Sequence, residues 1–106
     1  MMTKSEHKKL WAETRNKTIK RDGYKCAVCD ATKNKKGKRI VLHLSHLFPR
    51  SLYRFLTYDI DNVVMMCYKC HLKFWHISPI DAYKWYIKHV PYARRKRLEK
   101  KAYNQP

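Results

Sequence analysis

The chain contains little acid, little glycine and no long apolar run. Its 106 residues include 8 Asp plus Glu against 25 Lys plus Arg, which gives a formal net charge of +17. Two glycines exclude a Gly-rich linker, and no segment approaches the roughly 20 apolar residues that a membrane span needs. A hydrophobic fraction of 44% excludes a disordered basic tail. We therefore expect one soluble, cytoplasmic domain over residues 1–106, without a membrane partner.

The excess of positive charge predicts a polyanionic partner. Like charges at this density repel one another and cost stability unless an anion neutralises them. Nucleic acid is the obvious candidate. The residues predicted to contact it are Lys35, Lys36, Lys38, Arg39, Arg50, Arg54, Arg94, Arg95 and Arg97.

The first two thirds of the chain predict a helix followed by two short strands. Ser5 can cap a helix that runs to about Arg21 and is stopped by Gly23. The apolar run at 39–48 predicts a strand, and the run at 63–66 could pair with it as a hairpin with a long loop.

The last third predicts two more helices and a tail. One helix leads from the second cysteine pair through His76, and another spans 78–90 with Ser78 as its cap. In the second of these, residues at helical spacing share one face: Ile80, Tyr83, Ile87 and Val90. Residues 91–106 are predicted to form a basic carboxyl-terminal tail.

The cysteines form the strongest pattern in the chain. Cys26 and Cys29 make one CxxC pair, and Cys67 and Cys70 make another. Each CxxC turn can present two thiolates, and two such turns supply the four ligands of a structural Zn²⁺ site. Disulfides compete poorly because nothing marks the chain as secreted, and a redox CxxC would explain only one pair.

Three of the six histidines have informative positions. His71 directly follows the last cysteine, and His43 and His46 lie on the first predicted strand. A zinc site would bring these two segments together. His7 and His89 are interpreted as structural or solvated residues.

The order of these parts resembles the HNH endonuclease superfamily in its zinc-knuckle form. The resemblance covers about residues 11–76: a helix, a CxxC, a strand with His46, then Asn62 and a second CxxC followed by His71. It implies an α+β fold of the ββα-metal type, stapled by zinc, here with an amino-terminal helix and additional carboxyl-terminal helices. By association it also suggests a phage-encoded protein that acts in the host cytoplasm.

The resemblance also implies the roles of individual residues. His46 corresponds to the general base, Asn62 to the residue that orients its loop, and His71 to a ligand of one catalytic divalent cation (Mg²⁺, Mn²⁺, Ni²⁺ or Zn²⁺). Arg50, just after the strand, is the best candidate for a phosphate clamp. The implied activity is metal-dependent hydrolysis of phosphodiester bonds in DNA, and the implied partner is DNA, most simply as a duplex, with branched DNA left open. A homodimer or a larger protein partner would be needed to cut both strands.

One position departs from the family pattern. The residue before the general base is usually Asp or His, a second ligand of the ion, whereas this chain has Ser45. A serine hydroxyl is a poor ligand for a hard cation. His43 can substitute for it, and the other candidates are Asp59, Asp61 and His76.

Ser45 and the high charge together favour an alternative. The chain could be a non-catalytic, zinc-stapled nucleic-acid-binding module or a degenerate HNH protein. The two hypotheses differ at His46, which a binding module does not need.

Overall fold

The computed structural model describes residues 2–104. Its first helix, α1, spans Lys4–Asp22. The predicted cap at Ser5 is wrong, because the hydroxyl of Thr3 accepts a hydrogen bond from the backbone N–H of Glu6 and donates one to the Glu6 carboxylate. Thr3 and Glu6 have the spacing of a capping box, which Ser5 lacks. Gly23 ends the helix, as predicted, with φ at 85°.

The sheet is a two-stranded antiparallel ribbon. Strand β1 spans Leu42–His46 and strand β2 spans Val63–Cys67, with Leu42 opposite Cys67 and His46 opposite Val63. The predicted pairing is confirmed, but β1 is shorter than 39–48. Its first residues bond elsewhere, since Arg39 pairs with Lys33 and the N–H of Ile40 donates to the carbonyl of Thr32.

Helical segments follow β2. A short helix, α2, spans Tyr68–Cys70 and continues as a π-helical turn over His71–Trp75. Helix α3 spans Pro79–His89 and helix α4 spans Tyr92–Tyr103. The mixed architecture agrees with the predicted α+β class, and none of the helices within residues 2–104 carries an apolar stretch that could cross a membrane.

Of the four residues that the apolar spacing places on one face of α3, only Val90, at its end, is buried. Ala82 and Tyr86 are buried with Val90, whereas Ile80 and Tyr83 are 72% and 64% exposed. Tyr86 and Val90 share a small core cluster with Leu98 and Ala102 of α4. The position of α4 therefore decides which side of α3 is covered.

Residues 92–103 are a packed helix, so the prediction of a basic tail at 91–106 is wrong over the described residues. Leu98 and Ala102 are 0% and 1% exposed. The Arg94 guanidinium reaches inward and donates to the carbonyls of Asp61 and Val63. From the opposite side, Arg21 of α1 donates to the carbonyls of Ile60 and Val63. Arginines from both ends of the chain thus hold the segment that enters β2.

Candidate metal centre and histidine groove

The four cysteines converge at one end of the ribbon. Their sulfur atoms all lie within 4.8 Å of one another, and the Sγ atoms of Cys29 and Cys67 are 3.8 Å apart. Tetrahedral Zn²⁺ with Zn–S bonds of about 2.3 Å requires sulfur atoms about 3.8 Å apart. All four cysteines are free of disulfides. This cluster could hold a structural metal ion such as Zn²⁺.

The fold builds this cluster from two distant turns. The N–H of Ala27, inside the first CxxC turn, donates to the carbonyl of Met65 on β2. Cys26 is fully buried and Cys70 nearly so. Burial raises the pKa of the Cys70 thiol, and the neighbouring cysteines raise it further. A bound cation would reverse this balance by stabilising the thiolates, so the donor set fits a soft divalent metal.

The histidines line a separate groove of about 1760 Å³. His43 and His46 reach it from β1, while His71 and His76 reach it from the π-helical turn and its end. The predicted meeting of the β1 histidines with His71 is therefore present in the fold.

His46 is held by its distal nitrogen. Nε2 of His46 lies 2.9 Å from the carbonyl oxygen of Thr57, and because a carbonyl only accepts, Nε2 carries the hydrogen. This contact leaves Nδ1 as the basic nitrogen. Burial lowers the pKa of His46, the Thr57 carbonyl raises it and the positive charge of Arg50 lowers it, with a net decrease. At neutral pH the ring is therefore an unprotonated imidazole.

Asn62 fixes the loop between the two strands. It is fully buried; its Oδ1 accepts from the N–H of Phe48 at 2.7 Å, and its Nδ2 donates to the carbonyls of Phe48 and Leu56 at 3.1 Å. The loop so held carries Thr57, whose carbonyl orients His46. These contacts support the loop-orienting role that the resemblance implies for Asn62.

Replacing Asn62 tests this arrangement. We expect Asn62→Ala to lower the free energy of unfolding by about 3 kcal/mol, because buried backbone groups of the loop lose their partners and each costs about 1–3 kcal/mol. Urea unfolding of zinc-loaded protein measures the change. Asn16→Ala, at an exposed position of α1, should stay within about 0.5 kcal/mol. Equal stability of the two variants would contradict the role assigned to Asn62.

His71 lies between two other imidazoles. Its Nδ1 is 3.0 Å from Nδ1 of His43, and its Nε2 is 3.1 Å from Nε2 of His76. Burial lowers the pKa of His71 to about 4, and the neighbouring His76 and His43 contribute to the decrease. Its ring is therefore neutral, which is the form that binds metals.

The other candidate ligands do not reach this cluster. Ser45 is fully buried and its hydroxyl donates to the carbonyl of His43, so Ser45 is not retained as a ligand. Asp61 pairs with Arg97 and Lys101, and Asp59 with Lys101. Arg97 holds the pKa of Asp61 at about 2.

The predicted nucleic-acid contacts separate into three groups. Arg50 and Arg54 are exposed and line the histidine groove. The cluster from Lys35 to Arg39 is exposed but lies in the loop that follows the first CxxC turn, outside the groove lining. The α4 arginines contact the protein itself: Arg94 as described, Arg95 through the Val90 carbonyl, and Arg97 through Asp61. We therefore assign these three to holding α4 in place.

Sequence reasoning missed the contribution of α1 to the groove. The ring of Trp11 lies 5.6 Å from that of His46, and the Arg50 guanidinium lies 4.9 Å over it. Arg15, one turn further on, lines the groove with one buried guanidinium nitrogen that has no hydrogen-bond partner within residues 2–104. His7, Trp11 and Arg15 follow one another at intervals of four residues, so they share one face of α1. This spacing is visible in the sequence.

Comparison with family models, with curated proteins and with solved structures finds no match for this chain. Inferences about function therefore rest on the residues and their geometry.

Proposed function

We propose that the protein is a metal-dependent endonuclease that hydrolyses phosphodiester bonds in DNA, with His46 as the general base. The carrying observation is the contact between Nε2 of His46 and the Thr57 carbonyl, in a loop fixed by Asn62. This contact orients a neutral imidazole whose Nδ1 can take a proton. The same base–loop–asparagine arrangement is what the HNH resemblance implies.

The proposed reaction is a direct hydrolysis. Nδ1 of His46 takes a proton from water as the water oxygen attacks phosphorus, and the bond from phosphorus to the 3′ oxygen breaks. The leaving 3′ oxygen takes a proton from solvent water and the protonated His46 returns its own proton to solvent, which gives 5′-phosphate and 3′-hydroxyl ends. A divalent ion held by His71 and its neighbours would stabilise the charge on the pentacovalent phosphorus and on the leaving oxygen.

Cations of the groove support a phosphate-bearing substrate. Arg50 is held over Trp11, beside His46, and Arg15 lines the same groove. Phosphate contacts position a nucleic acid without reading its sequence. We assign Arg15 and Arg50 to the backbone next to the bond that is cut.

The four-cysteine cluster is proposed as a structural Zn²⁺ site. Cys70 and His71 are adjacent in sequence, so a metal at the cysteines would fix the start of the π-helical turn that carries His71. The ion of the histidine groove would be a second, separate one.

A non-catalytic zinc-stapled DNA-binding module is the second candidate. The observation that favours it is the buried hydroxyl of Ser45, which leaves the usual ligand position before the general base without a donor toward the groove. Such a module would retard DNA on a gel without cutting it.

Cleavage of supercoiled plasmid at low salt tests the proposal. We expect purified zinc-loaded protein to nick or linearise the plasmid when Mg²⁺, Mn²⁺, Ni²⁺ or further Zn²⁺ is added, and EDTA to stop the reaction. The products should carry 3′-hydroxyl ends that a DNA polymerase can extend. DNA that is retarded but never cut with any of these ions would overturn the nuclease and favour the binding module.

A further inference from the structure

The histidine groove is also lined by a group of aromatic rings that the proposed mechanism does not use. We call this group the aromatic shelf, and its members are Phe48, Tyr53, Tyr83, Tyr86 and Tyr103. The ring centroid of Phe48 is 5.1 Å from that of Tyr53 and 6.4 Å from that of Tyr86. It is 5.9 Å from that of Tyr103. Tyr83 extends the group, because its ring stacks on that of Tyr86 with centroids 6.4 Å apart.

Two members of the aromatic shelf are left exposed by the fold. Tyr83 and Tyr103 are 64% and 69% exposed, whereas Tyr86 is buried in a core cluster with Leu98 and Ala102. Burial of an aromatic ring is favourable, so exposed rings that line a groove offer their faces to a ligand. Core packing therefore accounts for Tyr86 but not for Tyr83 and Tyr103.

The charges of the groove differ from one part to another. Arg50 and Arg54, from the segment after β1, are exposed lining residues and suit phosphates. Among the described lining residues that come from α3 and α4, none is Lys or Arg, and Glu99 is the one charged residue. Glu99 accepts a hydrogen bond from Tyr86 and lies 3.5 Å from the ammonium of Lys96. The aromatic shelf therefore suits uncharged aromatic groups and not phosphates.

Single-stranded DNA has the chemistry that matches both parts. Its phosphates can contact cations while its unpaired bases stack on aromatic side chains. In a duplex the bases are paired and stacked on one another, so rings beside the groove would meet only the backbone. We propose that the groove binds a single strand of DNA, with unpaired bases stacked on Tyr83 and Tyr103 and with phosphates contacting Arg50 and Arg54. Cleavage directed to unpaired segments rests on the proposed function, whereas this binding preference does not.

Fluorescence anisotropy tests the preference. Zinc-loaded protein is titrated into a fluorescein-labelled DNA strand of about 12 nucleotides, within the usual size of a single-strand site, and into the same strand annealed to its complement. No other divalent ion is added, so that the DNA stays intact. We expect the single strand to bind about tenfold more tightly than the duplex.

Variants of the two exposed tyrosines test the stacking. Tyr83→Ala and Tyr103→Ala should each weaken single-strand binding by about 5- to 100-fold, the usual effect of removing one stacking ring. Duplex binding should stay within about twofold of the parent protein. Tyr83→Phe and Tyr103→Phe should bind the single strand like the parent, because the ring and not the hydroxyl stacks.

The matched control is Tyr92→Ala, because Tyr92 is 67% exposed but lies outside the groove lining. It should bind the single strand like the parent protein. The tyrosine variants change no charge, so the slope of log affinity against log salt should stay the same, whereas Arg54→Gln should make this slope shallower. Circular dichroism verifies that every variant is folded.

Three results would overturn the proposal. They are a duplex that binds as tightly as the single strand, Tyr83→Ala and Tyr103→Ala variants that bind the single strand like the parent, and an Arg54→Gln variant with an unchanged salt slope.

These outcomes are separable from those of the proposed function. A chain that binds single strands through Tyr83 and Tyr103 but never cuts plasmid keeps the aromatic shelf as a binding surface and loses the nuclease. A chain that cuts plasmid but binds single strands no better than duplex keeps the nuclease and loses this role of the aromatic shelf.

Discussion

Replacing His46 is expected to reduce plasmid cleavage by about 10²- to 10⁴-fold, the usual contribution of a positioned general base. His46→Gln is the sharper variant, because its amide can still donate to the Thr57 carbonyl but cannot take a proton from water. His46→Ala should be as inactive. The measurement is the initial rate of nicking under a metal condition in which the parent protein is active.

Binding and folding should be unaffected in these variants. We expect one structural zinc per chain and DNA affinity within about twofold of the parent protein, because His46 contributes no net charge at neutral pH. His89→Ala serves as the matched control and should cut at the parent rate. Cleavage by His46→Gln within threefold of the parent would remove His46 from the mechanism.

The pH dependence of the cleavage rate should also report on His46. In the proposed mechanism the unprotonated form of His46 is the active one, so the cleavage rate should fall as pH falls through the His46 pKa. Burial and Arg50 outweigh the Thr57 contact and lower that pKa, which places the midpoint below the ordinary value of about 6.5. A midpoint above about 7 would contradict this environment.

Removing the metal from the cysteine cluster is expected to unfold the protein. Structural zinc sites contribute apparent binding free energies of about 10–16 kcal/mol in small domains, whereas whole domains are stable by only about 5–15 kcal/mol. Two of the ligands, Cys26 and Cys70, also belong to the main core cluster. Without a metal, the neighbouring thiols would still be buried, but no cation would hold the two CxxC turns together.

The measurement is far-ultraviolet circular dichroism with thermal melting, after dialysis against a strong zinc chelator in the presence of a reductant. We expect loss of the cooperative transition and its return when Zn²⁺ is added. Cys70→Ser should behave like the metal-free protein, whereas His71→Ala, the adjacent substitution, should keep both zinc and fold. A metal-free chain that melts within about 5 °C of the loaded protein would refute a structural role for the metal.

Patterns that depend on spacing could be predicted from the sequence. The two CxxC pairs do converge, and the strands that they flank do pair, because short apolar runs next to fixed turns leave few alternatives. Asn62 does contact the loop that the resemblance assigns to it, and His71 does lie near the β1 histidines. Each of these contacts lies close to a CxxC turn or to a short apolar strand, and both kinds of element can be recognised in the sequence.

Features that depend on tertiary packing could not be predicted. Helix α4 carries six cations between Tyr92 and Tyr103, so its two buried positions, Leu98 and Ala102, give almost no periodic signal. The π-helical turn could not be predicted either, because no residue type distinguishes a turn with i to i+5 hydrogen bonds from an ordinary α-helical turn. Both features bear on the site, because α4 supplies arginines that contact the protein itself and the π-helical turn carries His71.

Two arginines, one from α1 and one from α4, bind the start of β2. Arg21 and Arg94 donate to the same carbonyl, that of Val63, at 2.7 and 2.8 Å. Val63 directly follows Asn62, the residue that orders the loop beside His46. The two-stranded ribbon and its loop are therefore not a portable module: grafted alone onto another scaffold, they would lack the two arginines that hold the segment carrying Asn62. Any redesign or domain fusion must treat α1 and α4 as parts of the same working unit.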